Sequence, residues 1–142
     1  ATDDRSDDMT ETTHYAAPVG RVFLAAIFLI AGAQKIGGYA GVQGYMDAMG
    51  VPGALLPLVI LLEIGGGLAL LLGWRVRLWA VLLGGFSILS GLIFHLLPGL
   101  AAEGMGGQND INHFLKNLAI AGGMGMLVAF GAGPLSLDRR AG

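Results

Sequence analysis

Ala54-Leu-Leu-Pro-Leu-Val-Ile-Leu-Leu-Glu63-Ile-Gly-Gly-Gly-Leu-Ala-Leu-Leu-Leu-Gly73 contains one charged residue in an otherwise uncharged apolar run. At about 1.5 Å per residue a helix of this length covers the roughly 30 Å hydrocarbon core of a bilayer. A carboxylate near its centre costs about 3 kcal/mol if ionised and unpaired, so Glu63 must pair, face water or hold a proton. Each of these outcomes points toward a polar pocket inside the membrane.

Three further segments of similar length flank this run, at about 19–37, 78–97 and 114–133. A mean hydropathy of +0.69 with only 13% charged residues is far outside the range of an ordinary soluble domain. The reading is an all-α, integral membrane four-helix bundle over 19–138, with a short amphipathic outer helix between helices one and two. Residues 139–142 form a tail. The leader 1–18 carries Asp3, Asp4, Asp7, Asp8 and Glu11 with few apolar residues, and is expected to be disordered. Met9 is a candidate native start. The first span contains Gln34 and Lys35 rather than a small-residue cleavage site, so it is read as a retained helix and not a signal peptide.

Arg5, Arg21, Arg75, Arg77, Arg139 and Arg140 fall toward one side, with Lys35 and Lys116 toward the other. This bias places both termini in the cytoplasm and the connections 38–53 and 98–113 outside. A net charge of −2 offers no basic surface for nucleic acid. The absence of cysteine excludes disulfides and thiol chemistry within the chain.

A weak internal repeat, which coincidence among Leu, Gly and Ala would also produce, runs at an offset of 56 residues. Arg21 matches Arg77, and Leu62-x-Ile64-x-Gly66-Gly67 matches Leu118-x-Ile120-x-Gly122-Gly123, as in a parallel repeat of helical hairpins. Glycines clustered at 65–67, 84–85, 122–123 and 125 mark faces where helices approach closely, which places helices two and four centrally. Tyr39, Val42, Tyr45, Met46 and Met49 recur at helical spacing in the first outer connection, and Gly50-Val-Pro-Gly53 ends that helix. The second connection, with Glu103, Gly104, Gly106, Gly107, Asn109 and Asp110, reads as a flexible loop.

The polar residues of the spans gather near one end. Gln34 and Lys35 close helix one, His95 closes helix three, and His113, Lys116 and Asn117 open helix four. Glu63 lies deeper, within reach of Lys35 or Lys116 directly or through water. Lone lysines at helix ends commonly extend to headgroups, and His113 sits at the boundary, so those residues also have plain structural roles. Taken together, an acid with cationic and imidazole partners on three other helices suits a lipid-soluble quinone. Imidazole and ammonium groups donate to its carbonyl oxygens, and a carboxyl relays protons. The candidate site is therefore Glu63, His95 and Lys35 as catalytic residues, with Lys35, His95, Lys116, Asn117 and Gln34 binding the cofactor. His95 and His113 lack a ligand motif, so no metal or haem site is expected. No dinucleotide, phosphate-loop or serine-nucleophile motif is present.

Arg21, Gly32-x-x-Lys35, Gly50-Val-Pro52, Glu63-x-Gly-Gly with Leu72-Gly73, Arg77, Phe94-His95, Phe114-x-Lys116-Asn117 and Ser136-Leu-Asp138 recur here in order over residues 21–138. This set resembles the DoxX family of small four-helix bacterial membrane proteins. The resemblance implies an inner-membrane location and relatedness to the membrane subunit of thiosulfate:quinone oxidoreductase. It also implies association with thiol or sulfur redox enzymes. On that basis a quinone-interacting subunit of an oxidoreductase is expected, with no flavin site in the chain. Its expected partners are the lipid bilayer, membrane or redox-protein subunits, or a second copy of itself. The alternative is a non-catalytic subunit that docks a larger complex through its glycine faces and outer helix. A small transporter fits poorly, because four helices without a broken one leave little room for alternating access.

Overall fold

The computed structural model describes residues 4–140. The backbone is built from α1 (Asp4–Gly37), α2 (Tyr39–Ala48), α3 (Leu56–Leu72), α4 (Val76–Gly91), α5 (Leu97–Ala101), α6 (Gly104–Phe130) and α7 (Leu137–Arg140). A 3-10 turn, Gly53–Leu55, leads into α3, and a π-helical turn, Leu92–Leu96, joins α4 to α5. Among the described residues, four stretches are long and apolar enough to cross a membrane: His14–Gly37, Gly53–Leu72, Val76–Ala101 and Gly104–Phe130. The chain is an all-α membrane bundle. Its helices pair as two hairpins, α1 with α3 and α4 with α6, joined mainly through α3 and α4.

The core is made where small residues let helices meet. A side chain at Gly66 would place its Cβ 2.8 Å from Leu83 of α4, and one at Gly67 would lie 2.8 Å from Leu29 of α1. Leu70, Leu83, Val76 and Ala25 are fully buried around these contacts. The glycines expected to dock a partner at 66 and 67 are thus consumed in packing the bundle itself.

Several expectations differ from the backbone. The backbone of the leader is helical from Asp4 rather than disordered, continuous with the membrane helix and with Pro18 inside it. Residues 1–3 of the leader and residues 141–142 of the tail lie outside the described residues.

The outer loop expected at 103–110 is the first turns of α6, leaving only Ala102 and Glu103 as connection. Gly99 and Gly107 make this possible. A Cβ at Gly107 would collide with the carbonyls of Ala102 and Gly99, and one at Gly99 would lie 3.0 Å from Asp110 Cβ. Helix four is not central: only 11% of its most apolar window is buried, against 33% for helix two. Gly122 and Gly125 face open space, and of that cluster only Gly123 packs, against Leu24.

The arginine-bearing end of the bundle is closed by a clasp. Arg21 is 2% exposed and donates to the carbonyls of Leu70 (3.2 Å), Pro134 (3.1 Å) and Leu135 (2.8 Å). Gly73, at φ +70°, ends α3 beneath it, where any Cβ would strike Arg21 and Ser136. Asp138 Oδ1 and Oδ2 accept from the Arg75 and Val76 backbone amides at 2.6 and 2.8 Å, capping α4 from the far end of the chain.

Candidate functional site

At the opposite end a cavity of about 500 Å³ opens between the helices. Lys35, Glu63, His95, Lys116 and Asn117 line it, so five of the six expected site residues surround one space. Gln34 does not. It is exposed, one helical step of about 100° from Lys35, and points away from the cavity.

Glu63 is 3% exposed, and Lys35 Nζ reaches its Oε1 at 2.9 Å. The lysine descends from the last turn of α1 directly, so no water is needed to bridge the pair. Gly32, one turn earlier, permits this approach: a Cβ there would lie 2.7 Å from Ile64 Cδ1 and 3.4 Å from Glu63 Cβ. Glu63 Oε2 is buried and, among the described residues, has no hydrogen-bond donor. An acceptor in that state is costly, which makes it the natural point for a ligand hydroxyl, a water or a proton.

His95 lies in the π-turn. Its Nδ1 sits 3.6 Å from Asp110 Oδ1, beyond hydrogen-bond distance, and is otherwise unpartnered among the described residues. Its ring stacks on His113 with centroids 5.1 Å apart, and Lys116 Nζ lies 3.0 Å from His113 Nδ1. Asp110, His113 and Lys116 of α6 therefore gather around His95 in one polar cluster. Asp110 was missed as a site residue because its segment reads as a loop; a helical register i, i+3, i+6 from 110 to 116 is the signal that would have found it.

The π-turn itself has a local cause. Pro98 has no N–H to give to the carbonyl of Phe94 four residues earlier, so the α-helical ladder cannot run through. The Tyr45 hydroxyl of α2 donates to that carbonyl at 3.4 Å, and the Tyr45 and Phe94 rings pack at 5.6 Å. The amphipathic helix α2 thereby covers one side of the cavity, with Met46 buried against it. This irregularity corrects the expectation of an unbroken third helix ending at 97. Wide turns of this type recur at functional sites in helices.

Apart from Ser87, Ser90 and Tyr45, the remaining walls are apolar. Leu58 of α3 and Leu89 of α4 line the cavity while being 62% and 58% exposed on the lipid-facing surface. The opening therefore has a lateral, hydrocarbon-facing side as well as the polar rim.

The DoxX family model matches residues 16–96, more than half of the chain. Inner membrane protein YqjF of Escherichia coli strain K12 is 49% identical over 121 residues, covering 85% of this chain and 88% of its own. Inner membrane protein YphA of the same strain is 33% identical over 124 residues, covering 86% and 87%. No solved structure matches. With these matches the chain belongs to the DoxX family.

Proposed function

We propose that this chain is an inner-membrane, quinone-interacting subunit of a thiol- or sulfur-linked oxidoreductase, with both termini cytoplasmic and the cavity toward the outer leaflet. The observation that carries this reading is the buried Lys35–Glu63 pair at 2.9 Å, whose second carboxylate oxygen lacks a donor beside a largely apolar cavity. The names of the two Escherichia coli relatives support the inner-membrane part of the reading.

The donor set fits a quinone head group. Lys35, His95 and Lys116 supply donors for carbonyl oxygens, and Glu63 Oε2 supplies an acceptor for a quinol hydroxyl. The lipid-facing side at Leu58 and Leu89 suits a molecule that arrives through the hydrocarbon. A quinone held there would supply two-electron, two-proton redox chemistry. Glu63 would deliver one proton from Oε2, with Lys35 balancing the carboxylate once it leaves, and the second proton would come from water at the polar rim. Asn117 fixes the rim at the α4–α6 contact. Its amide lies where a Cβ on Gly91 would come within 3.2 Å, so the two helices lock its position. The electrons come from thiol or sulfane oxidation on a partner subunit, since the chain has no cysteine.

The test uses the purified chain in nanodiscs with its co-purifying subunits. Solvent extraction is expected to release bound quinone, and Glu63→Gln and His95→Ala should each lower quinone reduction at least tenfold. Unchanged turnover in both variants would sink the reading.

A further inference from the structure

The arginine-bearing end holds a second depression, of about 720 Å³, lined by Arg75, Arg77, Arg139 and Asp138 together with Gly131 and Gly133. Three arginines face a single carboxylate there, and both oxygens of that Asp138 accept from the backbone amides of Arg75 and Val76 rather than from a guanidinium. Among the described residues, the ion pairs are Lys35–Glu63 and His95–Asp110, both at the opposite end of the bundle. Arg77 makes only a long bond, 3.5 Å, to the carbonyl of Ala129. Trp74, 48% exposed, stands next to the depression with the Arg75 guanidinium 5.9 Å from its ring. A half-exposed tryptophan at a helix end sits at headgroup depth.

We propose that this depression binds a phosphate-bearing anion, presented at that depth by the headgroup of an anionic phospholipid. Three guanidinium groups converge on a concave surface at the membrane boundary, and guanidinium matches phosphate oxygens in bidentate geometry. The absence of a side chain at Gly131 keeps the approach to Arg77 open, since a Cβ there would already lie 3.5 Å from its Nη2.

The full-length protein, equilibrated in mixed micelles with equal phosphatidylglycerol and phosphatidylcholine and then re-isolated, is expected to retain mainly phosphatidylglycerol. Each arginine near a headgroup contributes about fivefold in affinity, so Arg77→Gln should lower that preference about fivefold and Arg77→Gln/Arg139→Gln further. Equal retention of both lipids by the native chain, or an unchanged preference in the folded double variant, overturns the proposal. Where circular dichroism shows the variants misfolded, the native chain decides: 0.5 M salt must erase the preference, and persistence overturns it. A parallel arm adds 10 mM inorganic phosphate. Displacement of the lipid means the site takes phosphate from either source, while undiminished retention assigns it to the lipid.

Discussion

Lys35 Nζ and Glu63 Oε1 meet at 2.9 Å across the α1–α3 hairpin, one residue a quarter exposed and the other almost wholly buried. The pair explains how a carboxylate is tolerated in an apolar span, since the partner reaches in from the end of α1, which Gly32 lets lie close against Glu63 and Ile64 of α3. It also leaves Glu63 Oε2 unsatisfied, so the pair is incompletely matched and remains available for chemistry.

Removing one member should cost more than removing both. Lys35→Met strands the carboxylate and is expected to destabilise by about 3 kcal/mol, the low end for a broken buried pair because the lysine is partly exposed. Lys35→Met/Glu63→Leu should recover most of that loss. Equilibrium unfolding in mixed micelles measures both, and additive single and double effects would show that the residues are not coupled.

Asp138 is a cap supplied from 62 residues away in the chain, and both of its oxygens are used. Asp138→Ala is expected to cost about 2 kcal/mol, at the upper end for a lost helix cap, and Asp138→Asn about half as much because one acceptor survives. Thermal unfolding gives the values. Hydrogen exchange should locate the loss at the amides of Arg75 and Val76.

The membrane architecture and most of the site were legible because charges are scarce in apolar helices. Glu63, Lys35, His95 and Lys116 stand out against leucine and glycine, and their common end of the bundle follows from counting along each span. What was not legible depended on direction or on distant backbone. Gln34 and Lys35 are adjacent in sequence but about 100° apart around the helix, and only packing decides which faces the cavity. The start of α6 looks like a loop because its glycines weaken helix propensity, yet they are what allows it to pack against α5. The roles of Arg21, Gly73, Ser136 and Asp138 rest on contacts to main-chain atoms far away, for which residue type carries no signal.

Gly66 separates internal packing from partner docking. Its missing side chain is filled by Leu83, which is fully buried, so the glycine belongs to the α3–α4 contact. Gly66→Ala should destabilise by about 1–3 kcal/mol through overpacking, and Gly66→Leu should prevent stable folding. Unfolding measured on the isolated chain tests this directly. A normal melt with loss of a co-purifying subunit would instead assign Gly66 to a docking face.

The cover formed by α2 is held at its far end by Asp47, whose Oδ1 accepts from the Gly53 amide at 2.7 Å, and by Gln43, whose side chain donates to the Gly53 carbonyl at 3.2 Å. Gly53 must remain glycine for this, since a Cβ would lie 2.8 Å from the Gln43 carbonyl. Asp47→Ala removes the charged half of the latch, a bond of about 1.5–3 kcal/mol. Local opening of α2 should therefore rise while the buried α3–α4 contact stays protected. Hydrogen exchange is expected to quicken more than tenfold across Tyr39–Val51 and to stay unchanged at Leu70 and Leu83. Uniform acceleration through the whole bundle would mean that the latch supports global stability rather than the cover over the cavity.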